Sequence, residues 1–109
     1  MSGKVTWGGH ELTVYSHGAD WHDVGGVYVF AGLSSQNQWV AIYIGQADSF
    51  RNRIPSHEQW TPATQLGATH VHAMVVPQVA MRDQIEHLLI ATYQPSLNTQ
   101  LKNAYYGRT

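Results

Sequence analysis

Polar and apolar positions along the first half of the chain form four short runs that are rich in β-branched and aromatic residues. The first two runs mix polar and apolar residues and the last two are almost wholly apolar, and short runs of this composition, bounded by turn residues, are typical of β-strands. Gly8-Gly9 lies between the first two runs and can supply the positive φ angles of a tight hairpin turn. A polar stretch, Ser34–Gln38, separates the last two runs. The pattern therefore predicts two β-hairpins, with strands at 5–7, 11–15, 27–33 and 39–44.

Two short helices are predicted after the second hairpin. Asp48 or Ser49 is suited to cap the first helix, because both side chains accept hydrogen bonds from free backbone N–H groups. Pro55 ends or kinks that helix. The second helix is predicted to run over 56–66, where its first residue and Gln59 have the spacing of a capping box.

The last part of the chain combines one apolar strand with the strongest helical pattern. The strand is expected at His70–Val76 and the helix at Val79–Tyr93, before Pro95. The helix is predicted to bury one apolar stripe, made of Met81, Ile85, Leu88, Leu89 and Thr92. No element is assigned to residues 99–109.

The order of these elements predicts the fold class. Four strands, two helices, one strand and one helix favour an α+β domain, in which about three helices pack on a small, mostly antiparallel sheet. Residues 1–16 form an N-terminal hairpin ahead of this arrangement. We expect one domain over 1–109, because 109 residues with 43% hydrophobic positions can bury a core of their own.

Composition narrows the classes of function. The formal net charge is −1, with only six Lys and Arg residues, which argues against broad, sequence-independent binding to nucleic acid. The chain has no cysteine, so disulfides, thiolate zinc sites and cysteine nucleophiles are excluded. It also has no apolar run of membrane-spanning length and no signal-like N-terminus, so we expect a soluble cytoplasmic protein without a membrane partner.

Two tyrosines inside the second hairpin are the first candidates for chemistry. If the turn centres between Ser35 and Gln36, Tyr28 lies opposite Tyr43, and both hydroxyls share one face of the sheet. The alternative is a cross-strand aromatic pair that only stabilises the sheet. Gly45 follows directly, and either allows a turn or lets a ligand approach the backbone.

Charged and amide side chains near these strands are open to two interpretations. Arg51 and Arg53 are two residues apart on the first short helix and point to different sides, so at most one should face the tyrosines. Glu86 lies at the edge of the apolar stripe, where it could reach a cleft or pair with Arg82 one turn away. Asn98 is either a turn residue or a hydrogen-bond partner of that carboxylate.

Taken together, these positions resemble the GIY-YIG nuclease domain. The matching positions, in order and at the family's spacing, are Gly26-Val27-Tyr28, Tyr43-Ile44-Gly45, Arg53, His57, Glu86 and Asn98. The resemblance spans residues 24–100, and implies a stand-alone, single-domain member. One position departs from it, since many members carry a lysine where this chain has Gln46.

The resemblance implies a metal-dependent endonuclease that hydrolyses phosphodiester bonds in DNA, with one Mg²⁺ or Mn²⁺ ion. Glu86 would be the single protein ligand of the ion, which suits a hard cation that keeps several waters. Arg53 would hold the phosphate and offset the charge of the transition state. Tyr28 or Tyr43 would orient the attacking water, or deprotonate it if cations lower the tyrosine pKa. His57 would be a proton acceptor or a partner of the tyrosine.

The remaining implied roles concern positioning and partners. Asn98 would orient Glu86 or the tyrosines, while Gly45, Gln46 and Arg51 would position substrate. The low basic charge implies weak affinity for DNA, so a protein partner or self-association would supply targeting. Roles in DNA repair or in mobile elements are consistent with the family.

Two alternatives stay open at this point. A binding module on the same fold, without turnover, would recognise nucleic acid or a protein, and Gln46 and the near-neutral charge favour it. A structural zinc site is the weaker alternative, because the spacing of the candidate histidines matches no zinc pattern. These histidines are His17, His22, His70 and His72.

Overall fold

The computed structural model describes residues 3–99 and contains the five strands and three helices that the sequence predicts. The strands are β1 (Lys4–Trp7), β2 (His10–Tyr15), β3 (Gly26–Leu33), β4 (Trp39–Ala47) and β5 (His70–Val75). The helices are α1 (Phe50–Arg53), α2 (Trp60–Gln65) and α3 (Val79–Tyr93). Residues 96–99 are also helical. The unassigned segment 99–109 lies outside the described residues except for its first position.

The strands form one antiparallel sheet in the order β1-β2-β5-β3-β4. The N-terminal hairpin belongs to this sheet, because β2 pairs with β5. Its turn has the predicted geometry, with φ of 55° at Gly8 and 84° at Gly9. The prediction of an α+β domain with a mostly antiparallel sheet is therefore confirmed. In the described part of the chain, no helix has the length and apolar character needed to cross a membrane.

The two faces of the sheet bury two separate cores. The front face carries α1 and α2, and its core includes Tyr28, Phe30, Phe50, Ile54, Ala63, Val71 and Leu97. The back face carries α3, and its core includes Leu12, Val27, Val29, Ile44, Ile85 and Leu89. Because β3 is buried on both faces and lies between β5 and β4, the strand that carries Tyr28 is enclosed in the domain, whereas β4 is the edge strand.

Helix α3 has the predicted bounds, but the predicted buried stripe is wrong. Ile85 and Leu89 are buried, whereas Met81, Leu88 and Thr92 are exposed. The third buried position is Arg82, which an apolar pattern cannot identify. Its guanidinium donates to the Ala47 and Pro77 carbonyl oxygens and to Asp48 Oδ1, and these partners compensate for burying the charge. The alternative pair between Arg82 and Glu86 is not formed, because Arg82 points to the end of β4.

The two short helices agree only in part with the prediction. Ser49 caps α1, since its Oγ accepts a hydrogen bond from the Asn52 N–H at 3.2 Å. The second helix begins at Trp60 rather than at residue 56, so the predicted capping box is wrong. The backbone N–H of Gln59 bonds to His57 Nδ1 instead of taking part in a capping box. Residues 54–59 are thus a loop of turns between α1 and α2.

Candidate active site

The pairing of β3 with β4 brings the two tyrosines to the front face, but in a different register from the predicted one. Tyr28 lies opposite Gly45, and Tyr43 lies opposite Phe30. Asn37 adds a residue to the turn with a left-handed φ of 59°, and Ile42 forms a bulge that adds a second. A shift of one residue would move the β4 side chains to the other face of the sheet, and a shift of two returns them to the predicted face. The tyrosine rings therefore still meet on one face, with centroids 6.4 Å apart.

Gly45 makes room for the Tyr28 ring. An ideal Cβ at position 45 would lie 2.6 Å from Tyr28 Oη and 2.7 Å from its Cζ, closer than any side chain tolerates. With this packing, Tyr28 is only 1% exposed, whereas Tyr43 beside it is half-buried. Gly45 lies within β4 and not in a turn, and Tyr43 is the more exposed of the two tyrosines.

Burial holds both tyrosines in the phenol form at neutral pH. Desolvation is the largest cause that raises the pKa of Tyr28, and the neighbouring Tyr43 adds to it. Desolvation also raises the pKa of Tyr43, while the positive charge of Arg53 opposes the rise. The Glu86 carboxylate raises the pKa of both phenols, so it is near enough for its charge to act on the pair.

His57 is tied to Tyr28 through a hydrogen bond whose direction the structure determines. Nε2 of His57 lies 2.7 Å from Tyr28 Oη, and Nδ1 accepts the Gln59 N–H at 3.0 Å. Burial, assisted by the positive charge of Arg53, lowers the pKa of His57 to about 4, so the ring is neutral. A neutral ring whose Nδ1 accepts carries its proton on Nε2. His57 therefore donates to Tyr28 Oη and has no free lone pair for a proton.

Arg53 reaches the tyrosine pair from α1 and is held by a carboxylate that the sequence did not point to. Its Nη1 and Nη2 donate to the two oxygens of Glu58 at 2.7 and 2.6 Å. This bonding is the largest cause that raises the pKa of Arg53 and lowers the pKa of Glu58 to about 2. Arg51 points elsewhere, as predicted, and pairs with Asp23 at 3.2 Å.

Glu86 extends from α3 to the edge strand β4, where Gln46 meets it. The Gln46 amide Nε2 donates to Glu86 Oε1 at 3.0 Å and also to Asp83 Oδ1. Asp83 and Glu86 are three residues apart on the helix and therefore lie on the same side of it. Gln46 is half-buried, so at the position where many GIY-YIG members carry a lysine, this chain has an amide that bridges two carboxylates.

Asn98 fixes the exposed edge of β4 between Tyr43 and Gly45. Its Oδ1 accepts the Ile44 N–H at 2.7 Å, and its Nδ2 donates to the Ile44 carbonyl oxygen at 2.9 Å. The side-chain amide thus makes the two hydrogen bonds that a residue of a neighbouring strand would make with Ile44. It acts on the tyrosines through the backbone and makes no bond to Glu86.

The structure therefore gathers four of the six GIY-YIG-like positions on the front face and places the other two at the edge of β4. The front-face residues are Tyr28, Tyr43, Arg53 and His57, and the edge residues are Glu86 and Asn98. Sequence reasoning missed Glu58 and Asp83. Asp83 could have been found from the sequence, because it lies three residues before Glu86 on the predicted helix. Glu58 could not, because it lies in a loop with no regular spacing of residues.

Three of the four histidines of the zinc alternative have hydrogen-bond partners, and the fourth, His22, is exposed on the loop after β2. His72 Nδ1 accepts the Trp7 indole N–H at 2.9 Å, His17 Nε2 bonds to the Ile54 carbonyl oxygen at 3.0 Å, and His70 Nδ1 bonds to the Thr69 hydroxyl at 2.8 Å. Within residues 3–99, no three His, Asp or Glu side chains are grouped closely enough to hold an ion between them.

No protein-family model, curated protein or solved structure matches this chain.

Proposed function

We propose that this protein is a metal-dependent endonuclease of the GIY-YIG type that hydrolyses phosphodiester bonds in DNA. The observation that carries the proposal is that the Tyr28 and Tyr43 rings meet on the front face, with centroids 6.4 Å apart, and that His57 bonds to Tyr28 from the loop after α1. The Arg53 charge lowers the pKa of both phenols and the Glu86 charge raises it, in agreement with this arrangement. A cation that can bind the phosphate, a hydroxyl that can orient water and a carboxylate that can hold a divalent ion can together support in-line attack of water on a phosphodiester.

Arg53 is the group that binds the scissile phosphate. A guanidinium has five N–H donors in a planar fork, which matches the oxygens of a phosphate. Hydrogen bonds to such an anion are charge-assisted, and they strengthen as negative charge develops in the transition state. Arg53 is only partly buried, so an anion can reach it from solvent.

The residues at the edge of β4 fit a single hard divalent ion such as Mg²⁺ or Mn²⁺. Glu86 offers a carboxylate oxygen that Gln46 does not occupy, and Asp83 adds a second carboxylate beside it. Oxygen donors that are few in number suit an ion that keeps several waters and shares phosphate oxygens. When bound there, the ion would stabilise negative charge on the phosphate and on the leaving oxygen.

Tyr43 is the hydroxyl that orients the attacking water. It is half-buried and lies beside the Arg53 charge, whereas Tyr28 is enclosed. Tyr28 packs beside Tyr43 and is itself held in place, because the His57 Nε2–H donates to the Tyr28 hydroxyl. In this proposal His57 acts as the hydrogen-bond partner of Tyr28 rather than as the general base, since both of its nitrogens are engaged.

The test is a nicking assay on supercoiled plasmid with Mg²⁺ or Mn²⁺. The wild type is compared with Glu86→Gln and Arg53→Ala, and Glu11→Gln on β2 serves as a matched control for the loss of one charge. Nicking that needs the metal, survives Glu11→Gln and disappears in both site variants is expected. Absence of nicking by the folded wild type at every metal and salt condition, or nicking that survives both site variants, would reject the proposal.

One observation favours a second candidate, a module that binds nucleic acid or a protein without turnover. Gln46 donates to one oxygen of each carboxylate at the edge of β4, and Glu58 accepts from both terminal nitrogens of Arg53. In such a module Mn²⁺ would not bind through Glu86, and Glu86→Gln would leave ligand binding unchanged. With a net charge of −1, either function needs a partner protein or self-association for tight binding to DNA.

A further inference from the structure

The contact between Arg53 and Glu58 has the geometry of an arginine bound to a phosphate. Two oxygens on one central atom accept from Nη1 and Nη2 at 2.7 and 2.6 Å, as in a parallel two-bond pair. The two non-bridging oxygens of a phosphodiester would present the same arrangement. Among residues 3–99, Glu58 is the carboxylate that pairs with Arg53.

We propose that Glu58 is a built-in competitor of the substrate, which occupies the anion-binding fork of Arg53 until a phosphodiester displaces it. This inference rests on the proposed function, because it concerns the same arginine. It adds a residue that lies outside the GIY-YIG-like positions and assigns to it control over the affinity for phosphate.

The surroundings of Glu58 allow this displacement. Its side chain is 62% exposed and that of Arg53 is 39% exposed, so the pair is solvated and weak compared with a buried one. The preceding residue, His57, is anchored to Tyr28 and to the Gln59 N–H. Rotation of the Glu58 side chain alone therefore frees Arg53, and the loop that carries His57 stays in place.

The competition persists across the working pH range. Its hydrogen bonds to Arg53 lower the pKa of Glu58 to about 2, so the carboxylate stays charged at neutral and mildly acidic pH. Glu58 thus competes for Arg53 equally over this pH range. An anion displaces it when contacts with the rest of the site make that anion bind more tightly than Glu58 does.

The experiment measures binding without cleavage. A short fluorescein-labelled DNA duplex is titrated in EDTA with four proteins, and fluorescence anisotropy gives each Kd. The proteins are the wild type, Glu58→Gln, Arg53→Ala and the double variant. An exposed ion pair corresponds to roughly 1.4- to fivefold in an equilibrium constant, so Glu58→Gln is expected to bind up to about fivefold more tightly. Arg53→Ala is expected to bind more weakly, and Glu58→Gln should add little in that background.

The double variant separates competition at Arg53 from general repulsion. If Glu58→Gln improves binding equally with and without Arg53, or does not improve it in the wild-type background, the inference is wrong. Glu58→Ala and thermal melting show whether a change in Kd reflects the carboxylate or the fold. The nuclease proposal can fail separately, because tighter binding by Glu58→Gln without any nicking would leave the competition intact and reject only the hydrolysis.

Discussion

Tyr28 and Gly45 face each other across β3 and β4, and the phenol ring occupies the space that a side chain at position 45 would need. The hydroxyl at the end of that ring accepts the hydrogen bond of His57. One glycine thus determines where the buried tyrosine of the candidate site lies.

Gly45→Ala is expected to destabilise the protein by about 1–3 kcal/mol, the usual range for an added methyl in a packed core. The added Cβ would displace the Tyr28 ring, and the nicking rate should fall with it. Urea denaturation measures the change in stability. Gly18→Ala is the matched control, since a Cβ there meets nothing within 4 Å, and an unchanged midpoint in both variants would contradict the packing described.

The direction of the hydrogen bond between His57 and Tyr28 can be observed directly. ¹⁵N NMR of the ring is expected to show the neutral tautomer with the proton on Nε2 near pH 7. The nicking rate should have no inflection near pH 6.5, because the pKa of His57 is about 4. His57→Gln, which can still donate, should retain more activity than His57→Phe. A proton on Nδ1, or equal activity of the two variants, would contradict this assignment.

Two buried histidines make stability depend on pH. Burial lowers the pKa of His57 and His72 to about 4 each, from an unfolded value near 6.5. Between pH 4 and 6.5 the unfolded chain binds more protons at these histidines than the folded chain does. The free energy of unfolding is therefore not reduced by them above about pH 6.5, and it decreases as the pH falls toward 4. The loss should be on the order of 3 kcal/mol for each histidine.

Denaturation midpoints measured from pH 7.5 down to 4 test this expectation. His72→Gln should have a shallower slope than the wild type, whereas His87→Gln, at an exposed position of α3, should keep the slope of the wild type. A wild-type slope that is flat between pH 6.5 and 4 would show that neither histidine is held neutral by the fold.

Asn98 is expected to protect the edge of β4. Asn98→Ala removes both hydrogen bonds to Ile44, and should reduce stability by about 1–2 kcal/mol. The Ile44 amide should then exchange its hydrogen much faster in deuterium exchange. Asn98→Asp keeps the acceptor and should retain part of the protection, and the exposed Asn52→Ala is the control. Unchanged exchange at Ile44 in Asn98→Ala would contradict the role.

The sequence predicts the strands and α3 well because their signals are local. Gly8 and Gly9 fix the first hairpin, and Val79–Tyr93 is a run of residues without Gly or Pro that ends before Pro95. The register of the second hairpin cannot be read in this way, since Asn37 and the Ile42 bulge each add one residue. A shift of two residues leaves each side chain on the same side of the sheet. The prediction that Tyr28 and Tyr43 share one side was therefore correct, whereas the prediction that they are directly opposite each other was wrong.

The candidate site shows the same division between local pattern and long-range contact. The resemblance to the GIY-YIG domain pointed to Arg53 and His57, but it does not reveal that His57 donates to Tyr28 or that Glu58 accepts from Arg53. The burial of Arg82 was missed for a similar reason, because the carbonyl oxygens that allow it come from Ala47 at the end of β4 and from Pro77 after β5.

We expect the edge of β4 to bind Mn²⁺ through Glu86. Electron paramagnetic resonance can measure this binding in the absence of DNA. Glu86→Gln is expected to abolish binding, and Asp83→Asn to weaken it severalfold, because the second carboxylate lies beside the first. Gln46→Ala should strengthen binding, since its amide no longer occupies Glu86 Oε1. Asp20→Asn, an exposed carboxylate on the loop after β2, should leave it unchanged. Mn²⁺ binding that persists in Glu86→Gln would show that the ion lies elsewhere, and absence of binding in the wild type would favour the module without turnover.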